Sequence, residues 1–352
     1  MHISITGTGS FIPSHTVKND DFLNHAFLNA DGSPFAHGNA TIIEKFKAIT
    51  GIGERRYASK EHKTSDLGFF AAEKAIANAG IDKETLDYIV VAHNFGDLRH
   101  GEHQGDTLPS LATRIKHKLQ IKNPKCVAYD LLFGCPGWLE GMIQANAFIK
   151  SGIANKCLVI GAETLSRVVD DFDRDSMIYS DGAGATVLEK TENGGELLAH
   201  ESATFAMEEA NYLFFGGTYN QKDSKTTNYI KMHGRKIYEF AVTHVPGAMA
   251  SCLEKSGIAI DEVKKIFIHQ ANEKMDEAIV KRFYRLYKKE MPAGIMPMNI
   301  SEMGNSSVAT IPTLFDMVLH GKLKNQQVQK GDVVIFASVG AGMNVNAMVY
   351  RI

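Results

Sequence analysis

Two segments of the chain have the same pattern, and this near-repeat limits the possible folds more than any other feature. The first, AGIDKETLDYIVVAHN, begins at Ala79, and the second, SGIAIDEVKKIFIHQAN, begins at Ser256. Each runs from a helix end through a short acidic link into an apolar strand that ends in His and Asn. The pattern indicates an internal duplication. A chance match of one helix–strand joint is the alternative, because such joints are common in proteins that alternate helices with strands.

Short apolar runs typical of buried strands recur along the chain, at 88–92, 157–160, 266–269 and 333–337. Between them lie amphipathic stretches that end at Gly, such as 65–80, and these predict helices. The alternation predicts an α/β architecture.

The composition is that of an ordinary globular enzyme. The 352 residues are 44% hydrophobic and 22% charged, and a formal net charge of −2 provides no global attraction to nucleic acid or to an anionic membrane. No apolar stretch is long enough to span a bilayer, and the start MHISITGTGSFIP lacks the regions of a signal peptide. Four scattered cysteines without C-x-x-C spacing predict neither a disulfide framework nor a zinc site. We therefore expect a cytoplasmic protein with reduced thiols.

Three segments depart from the regular alternation. Residues 24–40, 93–107 and 216–228 are rich in small and polar residues and predict long loops, which are often functional in compact domains.

The second of these segments also invites a metal-binding interpretation. It contains His93, His100 and His103 together with several acidic residues. Because the stretch is flexible and full of Gly, we favour a polar loop at a dimer interface and predict no metal site.

Cys135 is the first candidate for chemistry. It follows an apolar run and precedes Pro136, which suits the first turn of a helix because it has no N–H to leave unpaired. A thiol at a helix N-terminus is favoured as thiolate by the helix dipole. The alternative is a buried structural Cys. Gly134 and Gly137 favour the reactive interpretation, because glycines allow a ligand to approach the backbone.

Three further features are ambiguous when taken singly. His269 ends a strand, where it can act as an acid or base near neutral pH or be a satisfied structural residue. Asn305 lies in a Gly-Asn-Ser-Ser turn, where it can cap the next helix or line a site. The 340–342 turn, Gly-Ala-Gly, joins two strands and can offer backbone N–H groups to an oxyanion.

Together, Cys, His and Asn in this order and a terminal Gly-rich hairpin resemble the β-ketoacyl-ACP synthase III branch of the thiolase superfamily. The resemblance extends over essentially the whole chain. Its motifs are ITGTGSFIP, TGIGERRYA around Arg55, the Cys135 segment, DRDSMIYSDGAGATVL, IHQAN, MGNSS and SVGAGM. It implies a thiolase fold, with duplicated βαβαβ halves in a layered αβαβα arrangement. The N-terminal half, 1–190, would carry the Cys, and the C-terminal half, 191–352, the His and Asn.

The resemblance also implies the chemistry. Cys135 would take the acyl group, with its own N–H and that of Ala341 as the oxyanion hole. His269 and Asn305 would bind the carbonyl of a malonyl-type thioester, where two donors stabilise the charge that develops as CO₂ leaves. The implied protein is a homodimeric acyltransferase of fatty acid biosynthesis that needs no cofactor. Its substrates are acyl thioesters, as acyl-CoA or acyl-ACP, and malonyl-ACP, and its partner is acyl carrier protein, with no nucleic acid and no membrane.

The chain departs from the family at the substrate entrance. The family's adenine-clamping Trp falls at Lys45 and the Arg that follows it at Ile49, while the only Trp is Trp138, elsewhere. Leu108 falls where the family usually has a Phe that caps the acyl pocket of the partner subunit. A smaller, flexible side chain there could admit a longer or branched primer, and with the unusual loop 93–107 beside it we predict a pocket larger than acetyl. Expected substrate contacts are Arg174, Leu108, Asn272 and Gly234.

A basic patch predicts where the carrier protein docks. Spacing can place several cations of the helix after His269 on one face, and two more cations lie near Gly234. An acidic carrier protein would be attracted to such a face, although a solvated helix surface is the plain alternative. The residues are Lys274, Lys281, Arg282, Arg285, Arg235 and Lys236.

Two other functions stay open. One is a specialised condensing enzyme that joins acyl or β-ketoacyl thioesters in a secondary lipid, polyketide or pigment pathway, such as one for dialkylresorcinols. The other is a non-catalytic partner subunit, which the intact Cys135, His269 and Asn305 disfavour.

Overall fold

A computed structural model describes residues 2–222 and 227–352. The strands within these ranges are β1 (His2–Phe11), β2 (His15–Lys18), β3 (Glu54–Tyr57), β4 (Tyr88–Ala92), β5 (Val127–Leu131), β6 (Lys156–Thr164), β7 (Asp181–Thr191), β8 (Glu196–Thr204), β9 (Leu213–Gly217), β10 (Asn228–Met232), β11 (Val263–Ile268), β12 (Val333–Gly340) and β13 (Asn344–Arg351). The α-helices are α1 (Asn39–Thr50), α2 (Thr64–Ala79), α3 (Leu111–Lys118), α4 (Gly137–Lys150), α5 (Gly234–Ser256), α6 (Glu273–Leu286), α7 (Ile300–Met303) and α8 (Thr310–Leu319).

Two sheets form the body of the molecule. The first has the order β1-β7-β6-β4-β5, in which β4 is parallel to both β5 and β6 while β7 is antiparallel to its neighbours. The second has the order β11-β12-β13-β8, in which only β11 and β12 are parallel. The run β4-β6-β7-β1 thus has the same directions as β11-β12-β13-β8. The predicted α/β duplication is confirmed, and the near-repeat of the sequence falls on β4 and β11.

Helices cover the sheets in layers. Helices α2 and α3 pack on the outer face of the first sheet, and α5 and α6 share a hydrophobic core with the second. Helices α4 and α8 lie between the sheets and contact both of them. The central core is rich in large side chains and includes Trp138, Met142, Leu314, Phe315 and Phe336. Burial of these apolar surfaces drives the assembly of the five layers.

The boundaries of α2 and α4 follow from local chemistry. Helix α2 ends at Gly80, whose φ of 64° is left-handed and costs glycine no steric strain. Helix α4 begins directly after Pro136, as predicted, and buries Trp138 and Leu139 toward the central core.

The predicted long loops have mixed outcomes. Segments 24–38 and 93–107 are irregular and contain single bridges, Leu28 with Pro34 and Asp97 with Asp106, whereas 39–40 of the first predicted loop begin α1. The prediction for 216–228 is wrong at its ends, because 216–217 belong to β9 and 228 to β10, which pair as a hairpin. Residues 223–226 of that segment lie outside the described residues.

No cluster of three or more His, Cys, Asp or Glu side chains in 2–222 and 227–352 could hold a metal ion. In the same ranges, no helix combines the length and the apolarity that crossing a bilayer requires.

Candidate active site

A cavity of about 860 Å³ brings together the residues that the sequence singled out. Cys135, His269, Asn305 and Ala341 all line it, although they come from both halves of the chain. His269 directly follows β11, Ala341 directly follows β12, and Cys135 lies just before α4. The two duplicated halves therefore both contribute residues to one site.

The backbone around Cys135 is packed against the turn that follows β12. A Cβ atom added to Gly340 would lie 2.5 Å from the backbone nitrogen of Cys135, and one added to Gly134 would lie 2.7 Å from that of Ala341. Only glycine fits at such distances. The backbone at Cys135 is therefore packed tightly against the turn that contains Ala341.

The titration of Cys135 differs from the expectation for a helix N-terminus. Burial raises the pKa of the thiol to about 11, and a nearby carboxyl, Glu163, acts in the same direction. A hydrogen bond from Ser307 opposes this rise. The expected thiolate is not favoured here, because removing charge from water outweighs the effect of a helix that begins two residues later, at Gly137.

A buried hydrogen-bond chain that the sequence did not reveal ends at this sulfur. The Ser307 hydroxyl donates to Cys135 Sγ at 3.2 Å and accepts from Asn94 Nδ2 at 3.1 Å. The same Asn94 amide group donates to the carboxyl of Glu163, which is 1% exposed. Burial raises the pKa of Glu163 to about 8. The one signal in the sequence was Asn94 itself, at the end of the first strand of the near-repeat.

His269 is a neutral imidazole at physiological pH. It is 3% exposed, and burial lowers its pKa to about 4. Its backbone N–H donates to Ala337 O at 2.9 Å, which ties the residue to β12. Nδ1 finds no partner within 2–222 and 227–352. A neutral ring can donate one hydrogen bond to a substrate oxygen without bringing a full charge into the site.

The side chain of Asn305 is oriented by the backbone of Ser307, two residues later. Its Oδ1 accepts from the N–H of Ser307 at 2.8 Å, so its NH₂ group is the part left for a ligand. Its main chain bonds to Ile178 O and Ser180 N, which fixes the turn beside the cavity.

The predicted substrate contacts divide into two groups. Arg174, Asn272 and Gly234 line the cavity, and Asn272 also caps α6 by accepting from Met275 N at 3.1 Å. Leu108 does not line it; the side chain is 88% exposed on the surface of this chain.

The mouth of the cavity carries the positions at which the family pattern changes. Lys45 and Ile49 of α1 line it, and Ile49 is 52% exposed. Arg174 and Phe35 also line the cavity, and the guanidinium carbon of Arg174 lies 5.1 Å from the centroid of the Phe35 ring. The side chains of Lys45 and Ile49 are exposed to solvent.

The β9–β10 hairpin supplies an apolar wall. Phe215 and Ile230, which are paired across its strands, line the cavity with Leu213, Phe95 and Leu165. Such a surface suits an alkyl chain.

A buried ion cluster anchors this hairpin to the body. Lys231, 2% exposed, donates to Asp170 at 2.6 Å and to Asp173 at 3.1 Å. Asp170 also accepts from Thr218 Oγ1 and from the N–H of Tyr219. Both strands of the hairpin are thus tied to the segment that leads to Arg174.

The predicted carrier-docking cations are exposed, but most have partners. Lys281 pairs with Glu277 at 2.8 Å, Arg235 pairs with Glu239 at 2.9 Å, and Arg282 donates to the carbonyl of Val242. Lys274 is exposed at the N-terminus of α6, and no ion pair of it occurs within the described ranges.

Comparison with known proteins places this geometry in a family. The sequence profiles of 3-oxoacyl-[acyl-carrier-protein] synthase III and of its C-terminal region match residues 129–206 and 253–352. The β-ketoacyl-[acyl-carrier-protein] synthase III of Staphylococcus haemolyticus is 31% identical over 352 residues, which cover 100% of this chain and 99% of that protein.

Solved structures agree with this assignment. The β-ketoacyl-[acyl carrier protein] synthase III of Thermus thermophilus is 28% identical, with a TM-score of 0.83 and 99% of each chain covered. The priming β-ketosynthase of the R1128 polyketide pathway is 22% identical, with a TM-score of 0.81, 100% of this chain and 96% of that chain covered, and shares the fold. The predicted thiolase fold is confirmed.

Proposed function

The chain belongs to the β-ketoacyl-[acyl-carrier-protein] synthase III family, and from this premise we propose that it acylates Cys135 and then extends the acyl group with malonyl-ACP. It is an acyltransferase of the condensing type, acting in fatty acid biosynthesis. One observation carries the proposed site: Cys135, His269, Asn305 and the turn at Ala341 line the same cavity.

The first step is acyl transfer. The Cys135 sulfur attacks the thioester carbonyl, a new C–S bond forms, and the C–S bond to the carrier breaks. The carrier leaves as its thiolate and takes up the proton that Cys135 has lost. The N–H groups of Cys135 and Ala341 stabilise the oxyanion of the tetrahedral intermediate.

The second step is decarboxylative condensation. The bond between the malonyl α-carbon and its carboxylate breaks, CO₂ leaves, and the electron pair becomes an enolate whose oxygen accepts hydrogen bonds from His269 and Asn305. The α-carbon attacks the acyl-Cys135 carbonyl, and the Cys135 thiolate is released as the β-ketoacyl product forms. A neutral His269, supported by its pKa of about 4, suits the role because it donates without needing to be charged.

Intact-protein mass spectrometry tests the function. After incubation with an acyl-thioester panel, the mass should rise by one acyl group, and added malonyl-ACP should discharge it as β-ketoacyl-ACP. The Cys135→Ala variant should gain nothing. Failure of every thioester to acylate the wild-type protein would point instead to a non-catalytic subunit.

We further propose a primer longer than acetyl. The support is the apolar wall formed by Phe95, Leu165, Leu213, Phe215 and Ile230 in the cavity that holds Cys135. Acylation rates should rise from the two-carbon to the medium-chain thioesters. Replacing Ile230 by Phe should reverse this preference by filling the wall, whereas Ile153→Phe, at a surface position that is 60% exposed, should not. Exclusive use of acetyl primers would contradict the proposal.

A specialised condensing enzyme is a second candidate function, because the side chains at the mouth of the cavity differ from those of the family. Lys45 and Ile49 replace the side chains with which the family clamps the nucleotide of CoA, so the primer can arrive on another carrier. Product analysis decides between the two: β-ketoacyl-ACP supports the leading function, and a joined product formed only when a β-ketoacyl thioester is supplied supports the alternative.

We propose that acyl carrier protein docks near the exposed N-terminal part of α6. Its strongest support is Lys274, which is exposed at the start of α6, whereas Lys281 and Arg235 pair with Glu277 and Glu239, and Arg282 donates to a backbone carbonyl. A free cation attracts an acidic partner more strongly than one already paired. Charge reversal of Lys274 should raise the KM for acyl carrier protein, and an unchanged KM would end the docking proposal.

We propose that the protein is a homodimer in the cytoplasm. Strand β5 is the edge of the first sheet, and apolar side chains are exposed at or near it, with Val127 at 45%, Leu132 at 66% and Leu108 at 88%. A second copy pairing along this edge would cover them. The four free cysteines suit a reducing compartment. Light scattering at micromolar concentration tests the dimer, which a monomer mass would refute.

A further inference from the structure

The hydroxyl of Ser307 contacts the reacting sulfur, yet it is not one of the Cys, His and Asn residues. It is the middle of a chain of groups from separate parts of the fold: Asn94 follows β4, Glu163 lies in β6, and Ser307 lies in the turn before α8. The chain ends at Cys135 Sγ, 3.2 Å from Ser307 Oγ.

Resting on the proposed role of Cys135 as acyl acceptor, we propose that Ser307 is a further catalytic residue that donates to the Cys135 sulfur as it becomes a thiolate. Asn94 and Glu163 are positioning residues that keep the Ser307 proton directed at the sulfur.

The chemistry of the amide determines the direction of the chain. The NH₂ group of Asn94 can only donate, so Ser307 Oγ must accept from it and has its single proton left for the sulfur. Glu163 accepts from both the side chain and the backbone N–H of Asn94. With its second N–H held by a buried carboxyl, the amide cannot easily rotate its oxygen toward Ser307.

The backbone conformation of Ser307 indicates that its contact with Cys135 is a built feature of the fold. Its φ is 52°, in the left-handed region that residues other than glycine rarely adopt, and the bond from its N–H to Asn305 Oδ1 holds it there. This conformation orients Ser307 toward Cys135 at a position where glycine would be less strained.

The surrounding charges explain why such a donor is needed. Burial raises the pKa of Cys135, the Ser307 hydrogen bond lowers it, and a charged Glu163 would raise it further. Burial keeps Glu163 protonated below about pH 8 and so limits that repulsion. The other titratable groups around the pair are Tyr179, Asp181 and His269, all buried.

The pH dependence of Cys135 alkylation tests the proposal without requiring turnover. Iodoacetamide reacts with the thiolate, so the rate at the Cys135 peptide, followed by mass spectrometry from pH 6.5 to 9.5, reports the fraction ionised. Ser307→Gly should move the whole profile up by about one pH unit, a roughly tenfold slower reaction at any one pH. Asn94→Asp should move it in the same direction, because the hydroxyl then donates to the new carboxylate.

Matched controls separate this role from a structural one. Ser307→Gly relieves the left-handed strain, so its melting temperature should not fall, and a merely structural Ser307 would leave the profile unmoved. Ser306→Ala removes the neighbouring hydroxyl, which faces Thr310, and should change nothing. An unshifted profile in Ser307→Gly overturns the proposal. The proposed function fails separately, if wild-type Cys135 alkylates normally but no acyl thioester acylates it.

Discussion

The two ends of the cavity are built on opposite principles. At its inner end, around Cys135, Ser307 and Glu163, the polar side chains are buried and joined in one hydrogen-bond chain. At its mouth, Lys45 and Ile49 are exposed and make few polar contacts. Burial shifts every titratable group that reaches the inner end, which is how a protein prepares reacting groups.

The difference teaches where each property of the enzyme resides. Buried polar groups that hydrogen-bond to one another offset the cost of desolvation only while their geometry is kept, so a change at one of them disturbs the others. Exposed side chains at the mouth interact with solvent and ligand only, so they can change without affecting the chemistry. We expect large effects of substitution at the inner end and small ones at the mouth.

The largest effect should come from Gly340→Ala. The added Cβ would lie 2.5 Å from Cys135 N, so the turn must move, and the two N–H groups that we propose as the oxyanion hole should separate. Loss of such donors lowers rates by about 10²-fold to 10³-fold. Acylation kinetics by mass spectrometry measure this. Gly247→Ala, at an exposed helical position with no atom within 4 Å, is the control. Near-normal acylation in Gly340→Ala would show that the inner end is not rigid.

Stability should respond to acid through His269. Its pKa is about 4 when folded and about 6.5 when unfolded, so below pH 6.5 the unfolded chain binds a proton that the folded chain does not. Folding stability is then lost as the pH falls from about 6.5 to 4, by about 3 kcal/mol in all. Urea unfolding of His269→Gln against wild type should show this part of the slope removed. An equal slope in both proteins would place the imidazole in water.

Glu163 should have the opposite slope. Its pKa is raised to about 8, so the folded chain holds a proton that the unfolded chain loses, and stability falls as the pH rises from about 4.5 to 8. Glu163→Gln should flatten stability across this window in the same urea experiment. A variant that kept the wild-type slope would mean that Glu163 is ionised in the folded protein.

At the mouth, restoring the family's side chains should give a moderate effect. The double substitution Lys45→Trp with Ile49→Arg provides an aromatic face and a cation for a nucleotide, and stacking of this kind contributes about 1–3 kcal/mol. The KM for acyl-CoA should fall about tenfold while the acylation kcat stays within a factor of two. A changed kcat would mean that the mouth and the inner end are coupled.

The smallest effect should come from Lys274→Glu. One exposed charge changes association modestly, so the KM for acyl carrier protein should rise about threefold at low salt and less at high salt. Lys324→Glu, an exposed cation in the connection after α8, is the control. Equal effects of both variants would indicate attraction by total charge rather than by a docking site.

The residues that we propose as the catalytic set could be selected from the sequence because each lies in a local motif. Cys135 precedes Pro136, His269 ends a repeated strand, and Asn305 lies in a recognisable turn. The hydrogen-bond chain was not accessible, because Asn94, Glu163 and Ser307 become neighbours only when two strands and the turn before α8 meet.

Two other features eluded the sequence for physical reasons. The direction of the Cys135 pKa shift depends on burial, which local helix-end arguments do not include. The end of β9 and the start of β10 were included in the loop predicted at 216–228, because Gly216, Gly217 and the polar residues after them resemble a linker. Its strands are stabilised instead by pairing and by Lys231, whose partners lie far away along the chain.

Because the β9–β10 hairpin is anchored at one defined cluster of contacts, it could be exchanged between related proteins as a unit. Asp170 and Asp173 belong to the body of the molecule, and Lys231, Thr218 and Tyr219 of the hairpin bind to them. Loss of Lys231 would leave two buried carboxylates without their cation, so any exchanged hairpin must keep Lys231, Thr218 and Tyr219. A protein engineer who keeps these residues can exchange the hairpin residues that line the cavity, provided that the contact between β9 and the 341–343 turn is also kept.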